Sequence, residues 1–188
     1  PVAIRNLAQS YALAQGKSSL SVPPNIEDET PEGEAIRAEF GKLTEEVLAE
    51  EYFCMGIQLG ARYDGSPLVS TGGEAAPVPA SDPYDYIQTA YPGGRAPHAW
   101  LDDGTALYDH FGKGFTLLRL GGTGDGAALC DAAAAKGVPV SVYDATGEGL
   151  RDLYEADLAI IRPDQYVAWR GDALPDDVDA LVDTLRGA

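Results

Sequence analysis

Asp157-Leu158-Ala159-Ile160-Ile161-Arg162, then Pro163-Asp164, then Gln165-Tyr166-Val167-Ala168-Trp169-Arg170 reads as two strands folded back on each other. Arg162-Pro163-Asp164-Gln165 sets a proline at the second position of a four-residue turn, where its fixed φ already suits the turn. The two strands are therefore antiparallel neighbours. Upstream, the pattern predicts a helix over 105–111, a strand over 115–120, a helix over 125–136, a strand over 138–143 and a short helix over 148–155. Downstream, Val178, Leu181, Val182 and Leu185 fall on one face of a helix over 176–186, with Asp176 and Asp177 at its positive end. The order β-α-β-α-β-β-α describes an α/β domain with a mixed sheet, and the closing hairpin separates it from a doubly wound sheet, where further βαβ units would follow.

The N-terminal half reads differently. Ile4, Leu7, Tyr11 and Ala14 recur at helical spacing over 2–15, ahead of Gly16, and 18–29 reads as loop. Thr30 as N-cap, Pro31 at the first helical position and Glu32 announce a second helix, with Ile36, Phe40, Leu43, Val47 and Leu48 as its apolar stripe. Ile57, Leu59, Ala61 and Tyr63 alternate with polar or small residues as in a strand; Asp64-Gly65 is a turn signal and Pro67-Leu68-Val69 a return strand, which predicts a β-hairpin. Residues 70–90 are rich in Pro, Gly and Ala and read as a linker. The expected organisation is a helical and hairpin connector over 1–69, the linker over 70–90, and a compact domain over 91–188.

The bulk composition excludes several partners. Thirty acidic against 13 basic residues give a formal net charge of -17 over 188 residues, which disfavours nucleic acid and anionic membranes. No apolar run approaches the roughly 18 residues that a membrane helix requires. Cys54 and Cys130 are the two cysteines, far apart and in no C-x-x-C arrangement, which suits a reducing, cytoplasmic setting. A chain that begins at Pro1 without Met suits a fragment better than a natural start.

The compact domain has the element order of thioredoxin, whose chemistry needs a thiolate at the start of the first helix. Gly121-Gly122-Thr123-Gly124-Asp125-Gly126 stands there instead, and Cys130 lies about one turn further in, among alanines and Leu129. Ala156-Asp157 occupies the place of the proline that precedes the third strand of an active thioredoxin. Neither disulfide nor peroxide chemistry is expected.

The same glycine loop, with Asp144 about 20 residues on, approaches a dinucleotide recipe, but its spacing is not G-x-G-x-x-G and Asp125 would oppose a pyrophosphate. A plain turn is the simpler reading. His98 and His110, with Asp102, Asp103 and Asp109 near them, match no metal-binding spacing. Ser66 in Asp64-Gly65-Ser66-Pro67 is a turn residue, since G-x-S-x-G is absent. Trp100, Trp169, Tyr108, Tyr143, Tyr154 and Tyr166 read as core or interface aromatics. No catalytic, cofactor-binding or metal-ligating residue is assigned.

Residues 56–67 (Gly56-Ile57-Gln58-Leu59-Gly60-Ala61-Arg62-Tyr63-Asp64-Gly65-Ser66-Pro67), 92–104 (Pro92-Gly93-Gly94-Arg95-Ala96-Pro97-His98-Ala99-Trp100-Leu101-Asp102-Asp103-Gly104) and 158–172, together with Pro1-Val2-Ala3 and Asn6, resemble the C-terminal region of FAD-dependent aromatic-ring hydroxylases of the phenol and 3-hydroxyphenylpropionate monooxygenase type. That resemblance implies a thioredoxin-like domain without redox cysteines at the end of a flavin enzyme. Such an enzyme hydroxylates a phenol-like ring using FAD, NAD(P)H and O2. It further implies that the FAD contacts lie in an upstream FAD-binding domain, with no cofactor held in this segment, whose part is to pack on that body and to make dimer contacts. The alternative is a free-standing, non-catalytic thioredoxin-like interaction module.

Overall fold

The computed structural model describes residues 21–72, 77–121 and 126–188. The helix read over 2–15 and most of the glycine loop lie outside these residues. The chain divides into two compact units, one formed by 1–61 with 81–87 and the other by 62–80 with 88–188.

The second unit is built on a four-stranded sheet: β1 (Phe115–Arg119), β2 (Val140–Asp144), β3 (Leu158–Ile161) and β4 (Val167–Gly171), in the order β2-β1-β3-β4. β1 and β2 are parallel, because the chain between them crosses over through a helix; β1 with β3 and β3 with β4 are antiparallel. The hairpin between β3 and β4 closes as its sequence predicts, with Arg162 N–H donating to Tyr166 O at 2.8 Å and Gln165 N–H to Arg162 O at 2.9 Å. Gln165 takes a left-handed conformation, φ 67°, beside a bulge between Ile160 and Ile161.

Strand alternation sends neighbouring residues to opposite faces, so both faces of this sheet need a cover. On one face Leu118, Ala159, Ile161 and Val167 pack with Leu101, Leu107, Leu150 and Tyr154. On the other, Leu117, Leu158, Ile160, Ala168 and Trp169 meet Leu129 and Ala133 from one helix (Ala127–Ala135) and Leu181, Val182 and Leu185 from another (Val178–Arg186). β3 is central, and all four of its residues are buried. Lys136 joins those two helices, lying 3.1 Å from Asp179 and 2.9 Å from Asp183. This is the thioredoxin-like architecture expected of the mixed α/β domain. The elements observed start or stop within about two residues of those read from the sequence, and the helix over 105–111 narrows to a 3-10 turn at Leu107–His110.

The first unit is helical. Thr30 caps its long helix (Pro31–Tyr52) by accepting from Gly33 N–H at 3.1 Å, with Pro31 in the first turn beside Glu32 and Glu34. Ile36 and Phe40 are half-buried, whereas Leu43 is 48 % exposed.

The β-hairpin expected before the linker does not form. Met55–Leu59 is a short helix, with Gln58 N–H donating to Cys54 O at 3.1 Å and Gly60 N–H to Gly56 O at 3.0 Å. The alternation over 57–63 is the strand pattern, but the buried pair is Cys54 and Ile57, three apart, which is helical spacing. A carbon at Gly56 would lie 1.8 Å from Asp82 O, so glycine is required for 82–85 to pass. Asp64-Gly65 does turn, with Gly65 at φ 71°, but Leu68–Ser70 then runs past β4, where Ser70 N–H donates to Ala168 O at 2.8 Å.

Candidate functional site

In a thioredoxin-like fold the chemistry belongs where β1 ends, the first sheet-covering helix begins and β3 starts. Here Leu120 N–H donates to Asp157 O at 2.8 Å, which brings those segments together. Residues 122–125 lie outside the described part; the loop resumes at Gly126, left-handed with φ 72°, as the residue before the helix Ala127–Ala135. Cys130 is half-buried in the second turn of that helix, where its N–H donates to Gly126 O at 3.0 Å. It is not one of the first residues of the helix, where free N–H groups would stabilise a thiolate.

The β3 side of the site is fastened by charge. Arg151 Nε donates to Asp157 Oδ1 and its Nη2 to Asp172 Oδ1, both at 3.1 Å, and Asp172 Oδ1 also accepts from Asp157 N–H at 3.2 Å. Ala156 before it is buried, and among the described residues no peptide bond is cis.

Two residues of the dinucleotide-like pattern have other employment. A carbon at Gly126 would lie 2.5 Å from Leu117 Cδ2, so its glycine is demanded by the packing of the loop on β1. Asp144 holds Arg119 through both oxygens, Nη2 to Oδ2 at 2.6 Å, and this partner pulls its carboxyl below the ordinary range.

The two histidines are separated by their partners. His110 stacks on Tyr143 at 4.2 Å between centroids, and its Nε2 is 2.7 Å from Thr105 Oγ1. Thr105 gives its own proton to Asp103 Oδ1 at 2.7 Å, so it can only accept from the ring, which places the imidazole proton on Nε2. The Thr105 hydroxyl and N–H hold the Asp103 carboxyl below the ordinary range. His98 instead meets Trp100 and Tyr108 edge-on, at 5.5 and 5.2 Å. Among the described residues no three His, Cys, Asp or Glu side chains converge as a metal site would need. Ser66 Oγ accepts from Leu68 N–H at 3.3 Å, the role of a turn residue.

The most elaborate construction surrounds Pro92–Leu101. Gly93 N–H donates to Val167 O at 2.7 Å, Val167 N–H to Gly94 O at 2.9 Å and Ala96 N–H to Gln165 O at 2.9 Å, which covers the outer edge of β4. Two tyrosine hydroxyls then clamp the segment from inside: Tyr108 donates to Ala96 O, and the buried Tyr154 to Pro97 O at 2.8 Å. Arg95 donates to the Tyr108 oxygen at 3.2 Å. Burial raises the Tyr108 pKa against the pull of Arg95, so the phenol stays a donor. Arg162 lies over Tyr63 at 5.1 Å, and Tyr63 meets Tyr166 edge-on at 4.7 Å. Burial, then Tyr63, raises the Tyr166 pKa. Arg62, buried, grips Asp64 through Nε and Nη2 at 3.1 and 3.0 Å and reaches Pro79 O at 2.7 Å.

The clamping tyrosines were not legible as such, because Tyr154 stands 57 residues from the carbonyl it holds. The one available signal was the segment 92–104 itself. Arg62 was equally hidden.

The sheet order and its covering helices define a thioredoxin-like α/β domain, and comparison with known proteins gives its family. The family described as aromatic-ring hydroxylase, C-terminal, matches residues 89–188. The chain belongs to that family. It is 35 % identical over 142 residues to the FAD-dependent monooxygenase apdD of Emericella nidulans, covering 71 % of this chain and 23 % of that protein. It is 30 % identical over 204 residues to the 2,4-dichlorophenol 6-monooxygenase of Cupriavidus pinatubonensis, covering 96 % and 33 %. Among solved structures, the rebeccamycin biosynthetic enzyme RebC with reduced flavin superposes on all of this chain with a TM-score of 0.84 and 36 % identity, over 35 % of its own length. The chain thus spans about a quarter to a third of the proteins it matches.

Proposed function

We propose that this chain is the C-terminal part of an FAD-dependent aromatic monooxygenase, in which it serves as scaffold. The parent enzyme would hydroxylate a phenol-like ring with FAD, NAD(P)H and O2, in the cytoplasm. FAD would be held by an upstream domain on which this segment packs, and the segment would also contribute contacts to a second copy. The observation that carries the reading is the match to a flavin-bearing enzyme over the whole chain, at 36 % identity. Supporting it, described positions where a thioredoxin-like fold keeps its chemistry are given over to packing and ion pairs: Gly126 against Leu117 before the helix, Arg119 with Asp144 at the end of β1, and Asp157 with Arg151 before β3. In such chemistry the protein positions the cofactor and excludes water, and a domain fastened in this way supplies rigidity to that task.

The experiment is to purify the full gene product. Bound FAD, together with NAD(P)H oxidation accelerated by a phenol, is the expected result. A folded product of about this length that carries no flavin would replace the reading with the free-standing interaction module.

A further inference from the structure

We draw no further inference here: the strongest candidate, the outer edge of β2 (Val140–Asp144), the end strand of the sheet among the described residues and the one on which Val142 is 38 % exposed, carries nothing because nothing in the structure shows what covers it.

Discussion

The two units of this chain solve the burial problem differently. The sheet unit covers both faces of its sheet, and Leu117, Leu118, Ile160, Ile161, Tyr154 and Val182 are each fully buried. The helical unit has a capped 22-residue helix, yet Ile36, Phe40 and Val47 are only half-buried, Leu43 is 48 % exposed, and Cys54 and Ile57 are its buried hydrophobic residues among those described. One unit carries its own core. Among its described residues, the other has a capped helix whose apolar side chains are only partly covered.

This contrast can be broken by substitution. Ile160→Ala opens a cavity in the middle of β3 and should cost about 2–5 kcal/mol in denaturant unfolding, whereas Leu43→Ala should fall within about 0.5 kcal/mol. Equal costs would remove the distinction between the units. Tyr154→Phe keeps the ring and strands the Pro97 carbonyl, for about 1–3 kcal/mol, and should increase hydrogen exchange across 93–101. An unchanged exchange pattern would show that the clamp is ornamental. Thr30→Ala removes the cap of the long helix, for about 1 kcal/mol, read as fraying at its first turn and not as loss of the sheet.

The smallest expected effect is one of pH. Lys136, and after it Arg186, holds the Asp183 carboxyl below the ordinary range. A depressed carboxylate contributes stability above its unfolded pKa and loses it as pH falls through the folded one. The Tm difference between wild type and Asp183→Asn should therefore shrink as the solution is acidified below about pH 4. A difference that persists there would assign the pair to packing instead of charge.

What the sequence made legible follows the same division. Each element of the sheet unit had a local signature: the Pro163 turn, the apolar strand runs, the one-sided helix 176–186. The failed hairpin over 57–69 had only alternation across a few residues, too short to outweigh the Cys54 and Ile57 pair at helical spacing, and the close approach of Asp82 to Gly56 leaves no signal in the sequence. At the site, the absence of a thiolate position could be read from Cys130's place in the helix. The clamp on Ala96 and Pro97 could not, since hydrogen bonds across 12 and 57 residues leave no spacing to recognise.

The central proposal is that this segment supplies structure, and not redox chemistry, to a flavin-dependent parent enzyme. Its most direct test is the turnover of the full-length flavoprotein carrying Cys130→Ser, measured as aromatic-dependent NAD(P)H oxidation at matched FAD content. An unchanged rate is predicted. A loss of tenfold or more with FAD fully retained would make Cys130 a working thiol and contradict the account.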